Sequence, residues 1–323
     1  MQPKLKKVLT ITIPILLSVV LVWYSLSKVP LDKIIEEAKK ADYRWILLSV
    51  VCLTLSHLSR AYRWLFMLEP LGYKVKFKNS LMAVFATYLI NYGIPRSGEV
   101  ARASILTNYE GVPFEKGFGT IIAERVADLI VMLLIIGVTL VLQFQFIIQF
   151  FSEKLNVKTL FFLGVFGILG LILLVVFRNS EIKFIQKIIG FVNGLIEGAL
   201  SIFKMKKKWA FIAHTLFIWG MYILMFYTTT FAFKSLEGIP IAAILIGFIS
   251  ASFSIAATNG GTGAYPAAVY AAFSIFNIAK NPSFAFGWVL WGSQTLMTIL
   301  LGGLSLIYLP IYNKTKTTVQ IDS

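Results

Sequence analysis

"NYGIPRSGEVARASIL", residues Asn91–Leu106, lies between hydrophobic segments and decides how the chain is organised. It places Arg96, Glu99 and Arg102 within seven residues of one another and includes a proline. Ionisable groups are costly inside a bilayer, and proline disfavours a continuous helix. The stretch therefore predicts a helix break that carries charge, in a chain that is otherwise strongly apolar.

The composition indicates a polytopic helical membrane protein. The 323 residues are 58% hydrophobic and only 14% charged, whereas soluble domains carry about a quarter charged residues. Runs such as Leu160–Phe177 lack the alternation of a transmembrane β-strand. The net charge of +15 fits basic loops facing anionic headgroups and does not require nucleic acid.

The fold class predicted is all-α, with about six full spans and two broken or re-entrant helix pairs. Apolar runs of about 20 residues are long enough to cross the hydrocarbon core. The first run is interpreted as a retained helix, because it is too long for a signal peptide. The predicted spans are Val8–Leu26, Trp45–Leu68, Thr120–Gln143, Leu160–Phe177, Trp209–Phe233 and Phe284–Pro310.

Two regions do not fit as simple spans. The first, Ser80–Pro113, has a polar second half and predicts a re-entrant pair of half-helices. For the second, Gly238–Ala279, two crossings and one re-entrant pair are both open. The pairs would enter from opposite faces, which is how many transporters build a binding site near the midplane.

We expect one transmembrane domain over residues 1–323, with an interfacial amphipathic helix at about 180–204. The charged segment Lys28–Arg44 could also be amphipathic at the surface. Basic residues are more numerous on the segments assigned to the inside, which predicts that both termini are cytoplasmic.

The first break has the chemistry of an anion site. Pro95 ends the first arm at about Gly93–Ile94, Ser97 is a candidate N-cap, and Gly98 adds freedom to the break. Glu99 can pair with Arg102 one turn away. Arg96 beside free N–H groups then predicts a headgroup-binding site, together with Ser97, Arg102 and Arg125. The accompanying charge network is expected at Glu99, Glu124 and Asp128.

Three further clusters are candidate site residues. Glu124, Arg125 and Asp128 share one helix and form either a functional charge network or structural ion pairs. Arg60 and Arg63 share one face, and we expect them to snorkel to headgroups, with substrate contact as the alternative. The second break is predicted at three glycines: Gly260, Gly261 and Gly263.

The sequence predicts no metal site and no cofactor. Cys52 is the sole cysteine, and His57 and His214 are too few for a ligand cluster. We expect each histidine to be packed or hydrogen-bonded inside the membrane. No nucleotide-binding or hydrolase motif is present.

The order "SRAYRW", "NYGIPRSGEVAR", "AERVADL" and "GGTGAY" resembles the flippase-like transmembrane domain of bacterial lysyl-phosphatidylglycerol synthases. The resemblance spans most of the chain and implies movement of lipids or lipid-linked sugars between the leaflets of a bacterial plasma (inner) membrane. It places the motif arginines and carboxylates near the functional centre. Two features depart from the family pattern: Asn259 and Pro266 flank the glycine motif, and the soluble synthase domain is missing.

Three hypotheses follow from these observations. The first is a translocator of an anionic phospholipid or polyprenyl-linked sugar, whose headgroup is held by the arginines. The second is a non-catalytic lipid-binding subunit or scaffold, and the third a membrane-embedded transferase. The partners expected are the lipid, the membrane, and either a second copy of the chain or a separate synthase.

Overall fold

The computed structural model describes residues 16, 18–94, 97–144, 165, 186 and 205–319, with side chains to residue 314. This part of the chain is helical and contains no β-strand. Short 3₁₀ turns lie at Glu69–Leu71 and Lys234–Leu236. The helices are α1 (18–28), α2 (Leu31–Lys40), α3 (Tyr43–Leu68), α4 (Phe77–Gly93), α5 (Ser97–Glu110), α6 (Phe114–Leu142), α7 (Lys208–Thr230), α8 (Ile241–Ala257), α9 (Ala264–Ser274) and α10 (Lys280–Val319).

The protein is an all-α polytopic membrane protein. Within the described residues, four segments are long and apolar enough to cross a bilayer: Tyr43–Leu71, Phe114–Leu142, Lys208–Thr230 and Lys280–Lys314. They confirm four of the six predicted spans.

The other predicted segments fall largely outside the described residues. The span at Leu160–Phe177 and the interfacial helix at about 180–204 are described only at residues 165 and 186. The first span is described at residue 16 and from residue 18, and it is helical to residue 28.

α2 supplies the amphipathic segment expected after the first helix. Its sequence LDKIIEEAKK buries Ile34 and exposes its charges. Lys33 and Lys40 hold Glu36 between them, with Nζ–carboxylate distances of 3.1 and 2.7 Å. These hydrogen bonds lower the pKa of Glu36 to about 2. Such exposed pairs contribute little to stability, so packing of the apolar face holds α2 in place.

α4 and α5 form a re-entrant hairpin, called here the first hairpin. The backbone N–H of Lys76 and the side-chain amide of Asn79 both donate to Oε1 of Glu110. The start of α4 and the end of α5 are therefore at the same level. With 17 and 14 residues, the two arms are about 25 and 21 Å long, shorter than the ~30 Å core.

α8 and α9 form the second hairpin. A Cβ on Gly247 of α8 would lie 2.8 Å from the Phe273 ring of α9, so the arms pack closely. α9 has 11 residues and is about 16 Å long, too short to cross the bilayer. This excludes two crossings and leaves the re-entrant pair.

α10 is the helix against which both hairpins pack. Its second half runs antiparallel to α4, since Asn313 exchanges amide hydrogen bonds with Asn79 at 2.9 and 3.0 Å and Gly302 contacts Leu89. Its first half runs antiparallel to α9, since Gly287 lies against Pro266 and Phe284 stacks on Tyr270. α10 thus fixes the register of the two hairpins relative to each other.

α3 and α7 are antiparallel full spans that pack beside the first hairpin. Trp45 contacts Phe231 near one end, and Phe66 contacts His214 near the other. Ser80 of α4 donates to the Ala61 carbonyl of α3 at 2.7 Å. These contacts belong to one compact unit, Met1–Ile122 with Trp209–Ser323; Ala123–Lys208 form a second unit.

Gly302 and Gly303 are a matched pair for testing the register of α10. A Cβ on Gly302 would lie 2.6 Å from Leu89 Cβ and 2.9 Å from the Phe85 carbonyl oxygen. Gly302→Ala should lower the free energy of unfolding by about 1–3 kcal/mol through overpacking. Gly303 has no described atom within 4 Å of such a Cβ, so Gly303→Ala should be neutral or stabilising. Unfolding in mixed micelles measures both, and equal losses would contradict the packing of α4 on α10.

Candidate functional site

The first break lies between Gly93 and Ser97, and two side chains of α4 bond to the backbone of Gly98 just after it. α4 ends at Gly93, as predicted from the following proline. Asn91 Oδ1 accepts from Gly98 N–H at 2.8 Å, and Thr87 Oγ1 donates to the Gly98 carbonyl at 3.1 Å. A Cβ on Gly98 would clash with the Thr87 carbonyl oxygen, so only glycine fits at this position.

Two of the predicted break residues, Pro95 and Arg96, lie outside the described residues. Ser97 is not an N-cap: it is the first residue of α5, and its hydroxyl donates to the Ile94 carbonyl at 2.6 Å. Glu99 is half-buried and accepts from the Asn91 amide at 3.4 Å. Asn91 thus connects the end of α4 to the start of α5.

The second break, Thr258–Gly263, uses the predicted glycines. Gly260, Gly261 and Gly263 have φ of 60, 78 and 69°, the left-handed region that favours glycine. Trp291 of α10 donates its indole N–H to the Gly260 carbonyl at 2.8 Å. α9 begins at Ala264, immediately after Gly263, as predicted.

The two breaks meet on α10. A Cβ on Gly260 would lie 2.6 Å from the ring of Tyr92, which is at the end of α4. The Tyr92 hydroxyl is 3.0 Å from Thr295 Oγ1, one turn along α10 from Trp291. Residues 291–295 are close to the middle of the span Lys280–Lys314, so both breaks lie beside the central part of this helix.

Three arginines of the same unit are buried. Arg60, Arg63 and Arg102 are 3%, 0% and 1% exposed. Arg60 and Arg63 do not snorkel to the membrane surface as expected, because both guanidinium groups are enclosed by protein. Buried intramembrane arginines mark functional sites by default, since an unaccompanied charge is costly there.

Two of these arginines, Arg63 and Arg102, lie against aromatic rings. The Arg102 guanidinium stacks on Trp64 of α3, 3.8 Å from the ring centroid, and Trp64 donates its N–H to Thr120 at 2.8 Å. Arg63 lies 5.2 Å from the Phe211 ring centroid and donates to Thr215 at 2.8 Å. These contacts stabilise the cations through the ring quadrupole, which is more effective where water is excluded.

Glu124, Arg125 and Asp128 lie together on α6, with Glu124 and Asp128 buried. Glu124 and Asp128 are i, i+4, so both carboxylates share one helix face. They belong to the unit Ala123–Lys208, and the arginines of α3 and α5 belong to the other unit. In the described part of the chain, no three His, Cys, Asp or Glu side chains are arranged to hold a metal ion.

Sequence analysis missed the residues that join the elements. The sequence patterns do not distinguish Tyr92, Trp64, Thr215 or Trp291 from other residues of their helices. Trp64 offered a signal, because it directly follows Arg63 and tryptophan is a strong partner for a cation. The contacts of Tyr92 and Trp291 depend on the register of α10, which no local pattern reports.

The chain matches the model of the family described as the lysylphosphatidylglycerol synthase TM region over residues 11–303. It is 26% identical to a UPF0104 membrane protein of Methanocaldococcus jannaschii over 312 residues, 85% of this chain and 88% of that protein. A UPF0104 membrane protein of Pyrococcus horikoshii is 26% identical over 262 residues, 72% of this chain and 76% of that protein.

A third relative matches in part. Glycosyltransferase AglD of Haloferax volcanii is 27% identical over 141 residues, 43% of this chain and 23% of that protein. No solved structure is significantly similar to the chain.

The contact between the breaks can be tested by a double-mutant cycle. Gly260→Ala places a side chain on a left-handed backbone and pushes on the Tyr92 ring. We therefore expect the free energy of unfolding to fall by about 2–4 kcal/mol. In a Tyr92→Ala background the ring is absent and the cost should fall to about 1 kcal/mol, the strain alone.

Gly72→Ala is the matched control for the strain. Gly72 has φ of 90° and no described atom within 4 Å of an added Cβ. The loss of unfolding free energy caused by Gly72→Ala should equal the loss that Gly260→Ala causes in the Tyr92→Ala background. Additive losses for the changes at Tyr92 and Gly260 in micelle unfolding would show that the two breaks do not touch.

Proposed function

The chain belongs to the lysylphosphatidylglycerol synthase TM-region family, and we propose that it moves an anionic lipid or lipid-linked sugar between membrane leaflets. The observation that carries this proposal is the meeting of two helix breaks, Tyr92 against Gly260, near the middle of α10. Paired half-helices that end at mid-depth are the usual way in which transporters build a binding site.

The electrostatics of the breaks suit an anionic headgroup. α5 and α9 both begin at a break, so each directs the positive end of its helix dipole toward mid-depth. In this proposal Arg96, Ser97 and Arg102 bind the headgroup from the first break, and Glu99 balances part of their charge. Glu124, Arg125 and Asp128 form a second charged cluster on α6.

The headgroup reaches Arg102 only when the first hairpin moves. Arg102 is 1% exposed and stacks on Trp64, so the described conformation is closed at this position. Motion of α5 away from α3 separates the guanidinium from the ring and exposes it to a phosphate, which arginine binds in bidentate fashion. The acyl or polyprenyl chains stay in lipid throughout.

The partial similarity to a protein named as a glycosyltransferase favours a lipid-linked sugar within this substrate class. It also gives the second candidate function, a membrane-embedded transferase that uses Glu99 or Asp128 as a base. A transferase would release a modified lipid, whereas a translocator returns its substrate unchanged. The proposed orientation, with cytoplasmic termini in the plasma membrane, applies to both functions.

Leaflet exchange in liposomes tests the proposal. The purified protein is reconstituted with labelled anionic lipids and a polyprenyl-linked sugar, and exchange is followed by quenching of the outer leaflet. Arg102→Ala should reduce the exchange rate tenfold or more, because it removes the buried cation. Arg102→Lys keeps the charge without the planar fork and should be intermediate.

Arg44→Ala is the matched control, because the Arg44 side chain is 90% exposed and pairs with Asp42 at the start of α3. It should exchange lipid at the wild-type rate, and gel filtration and thermal unfolding confirm that each variant is folded. The proposal is wrong if folded wild type exchanges none of the lipids, or if Arg102→Ala and Arg44→Ala exchange them equally. Recovery of a chemically altered lipid would establish the transferase.

A further inference from the structure

His57 is a buried polar group in the middle of α3. It is 4% exposed, and its Nδ1 has no hydrogen-bond partner among the described residues. A buried polar atom without a partner costs free energy, so its presence needs an explanation. The other histidine, His214, differs: its Nδ1 lies 2.8 Å from Ser59 Oγ.

Aromatic rings enclose the imidazole. Tyr88 of α4 lies against it with ring centroids 4.3 Å apart and planes tilted by 34°. Phe85 and Tyr222 meet it edge-on at 5.8 and 6.4 Å. Three elements contribute to this cluster: α3, the first arm of the first hairpin, and α7.

Two further polar groups border the cluster. The Tyr222 hydroxyl is 3.5 Å from an Arg60 guanidinium nitrogen, one turn along α3 from His57. Trp219, one turn from Tyr222 on α7, contacts that ring at 6.0 Å between centroids. Its buried indole nitrogen also has no partner among the described residues. Aromatic walls with a few convergent polar groups are the composition of a small-molecule site.

We propose that His57, Tyr88 and Tyr222 bind the ring-shaped, hydroxyl-bearing part of the transported headgroup, with the adjoining phosphate at Arg60. This inference rests on the proposed function and names its substrate class, a phosphate-linked cyclic polyol or sugar. The imidazole has one hydrogen-bonding nitrogen to offer a hydroxyl, and the aromatic faces flank the ring. Because Tyr88 lies on α4, the same motion of the first hairpin that exposes Arg102 opens this cluster.

A site built to hydrogen-bond a hydroxyl discriminates against a ligand that lacks it. Short-chain phosphatidylinositol carries phosphate and a hydroxylated ring, whereas short-chain phosphatidic acid carries phosphate alone. Binding of each to the purified full chain in detergent is measured by the shift in its unfolding temperature. Wild type should bind phosphatidylinositol at least fivefold more tightly than phosphatidic acid.

His57→Phe keeps a planar ring and removes both nitrogens. It should abolish the preference for phosphatidylinositol, leave phosphatidic acid binding unchanged, and raise the unfolding temperature of the ligand-free protein, since an unpartnered buried atom is lost. His57→Asn places an amide near the position of Nδ1 and should restore part of the preference. His214→Phe is the matched control and should keep the wild-type preference.

The possible outcomes distinguish failure of this inference from failure of the proposed function. Equal binding of the two lipids by wild type overturns the inference and leaves translocation of anionic lipid standing. Retention of the preference in His57→Phe also overturns it and assigns Nδ1 to an internal water. Binding of neither lipid by a folded wild-type chain that also fails to exchange lipid overturns the proposed function itself.

Discussion

The hydrogen-bonding requirement of a broken helix in hydrocarbon is the constraint on which the structure depends. No water is available in the bilayer core, so each backbone group released by a break needs a partner from the protein. Asn91 and Thr87 supply partners at the first break, and Trp291 supplies one at the second. Because Trp291 belongs to α10, the second break is stable only when α10 lies beside it. The long helix and both hairpins therefore depend on one another.

The same arrangement determines where charge is tolerated. Arg102 stacks on Trp64 of α3, and Arg63 contacts Phe211 and Thr215 of α7, so each arginine is stabilised by side chains that are distant from it in sequence. Trp64 directly follows Arg63 and contacts Arg102, so one turn of α3 positions both cations. In the proposed motion of the first hairpin, the surroundings of Arg102 and of His57 change together, because Asn91 joins α4 to α5 and Tyr88 of α4 lies against His57.

The features that the sequence predicts correctly are those that local residue chemistry determines. The end of α4 at Gly93 and the start of α9 at Ala264 follow from the backbone limits of proline and glycine, and the four described spans follow from hydrophobic length. It did not predict that Arg60 and Arg63 are buried, because burial depends on neighbours from α7. The contacts of Tyr92 with Gly260 and of Asn79 with Asn313 join residues far apart in the chain. They require the register of α10, which hydrophobic periodicity does not encode.

The depth of the two breaks tests the account most directly. In a Cys52→Ser background, spin labels are placed singly at Ile94 beside the first break, at Ala257 beside the second and at Leu296 on α10, all exposed positions. Tyr43, the exposed first residue of α3, provides the interfacial reference. Power saturation with oxygen and a water-soluble nickel complex gives the depth of each label in liposomes. The account predicts that Ile94 and Ala257 lie as deep as Leu296, near the bilayer centre. A depth close to that of Tyr43 at either break would contradict it.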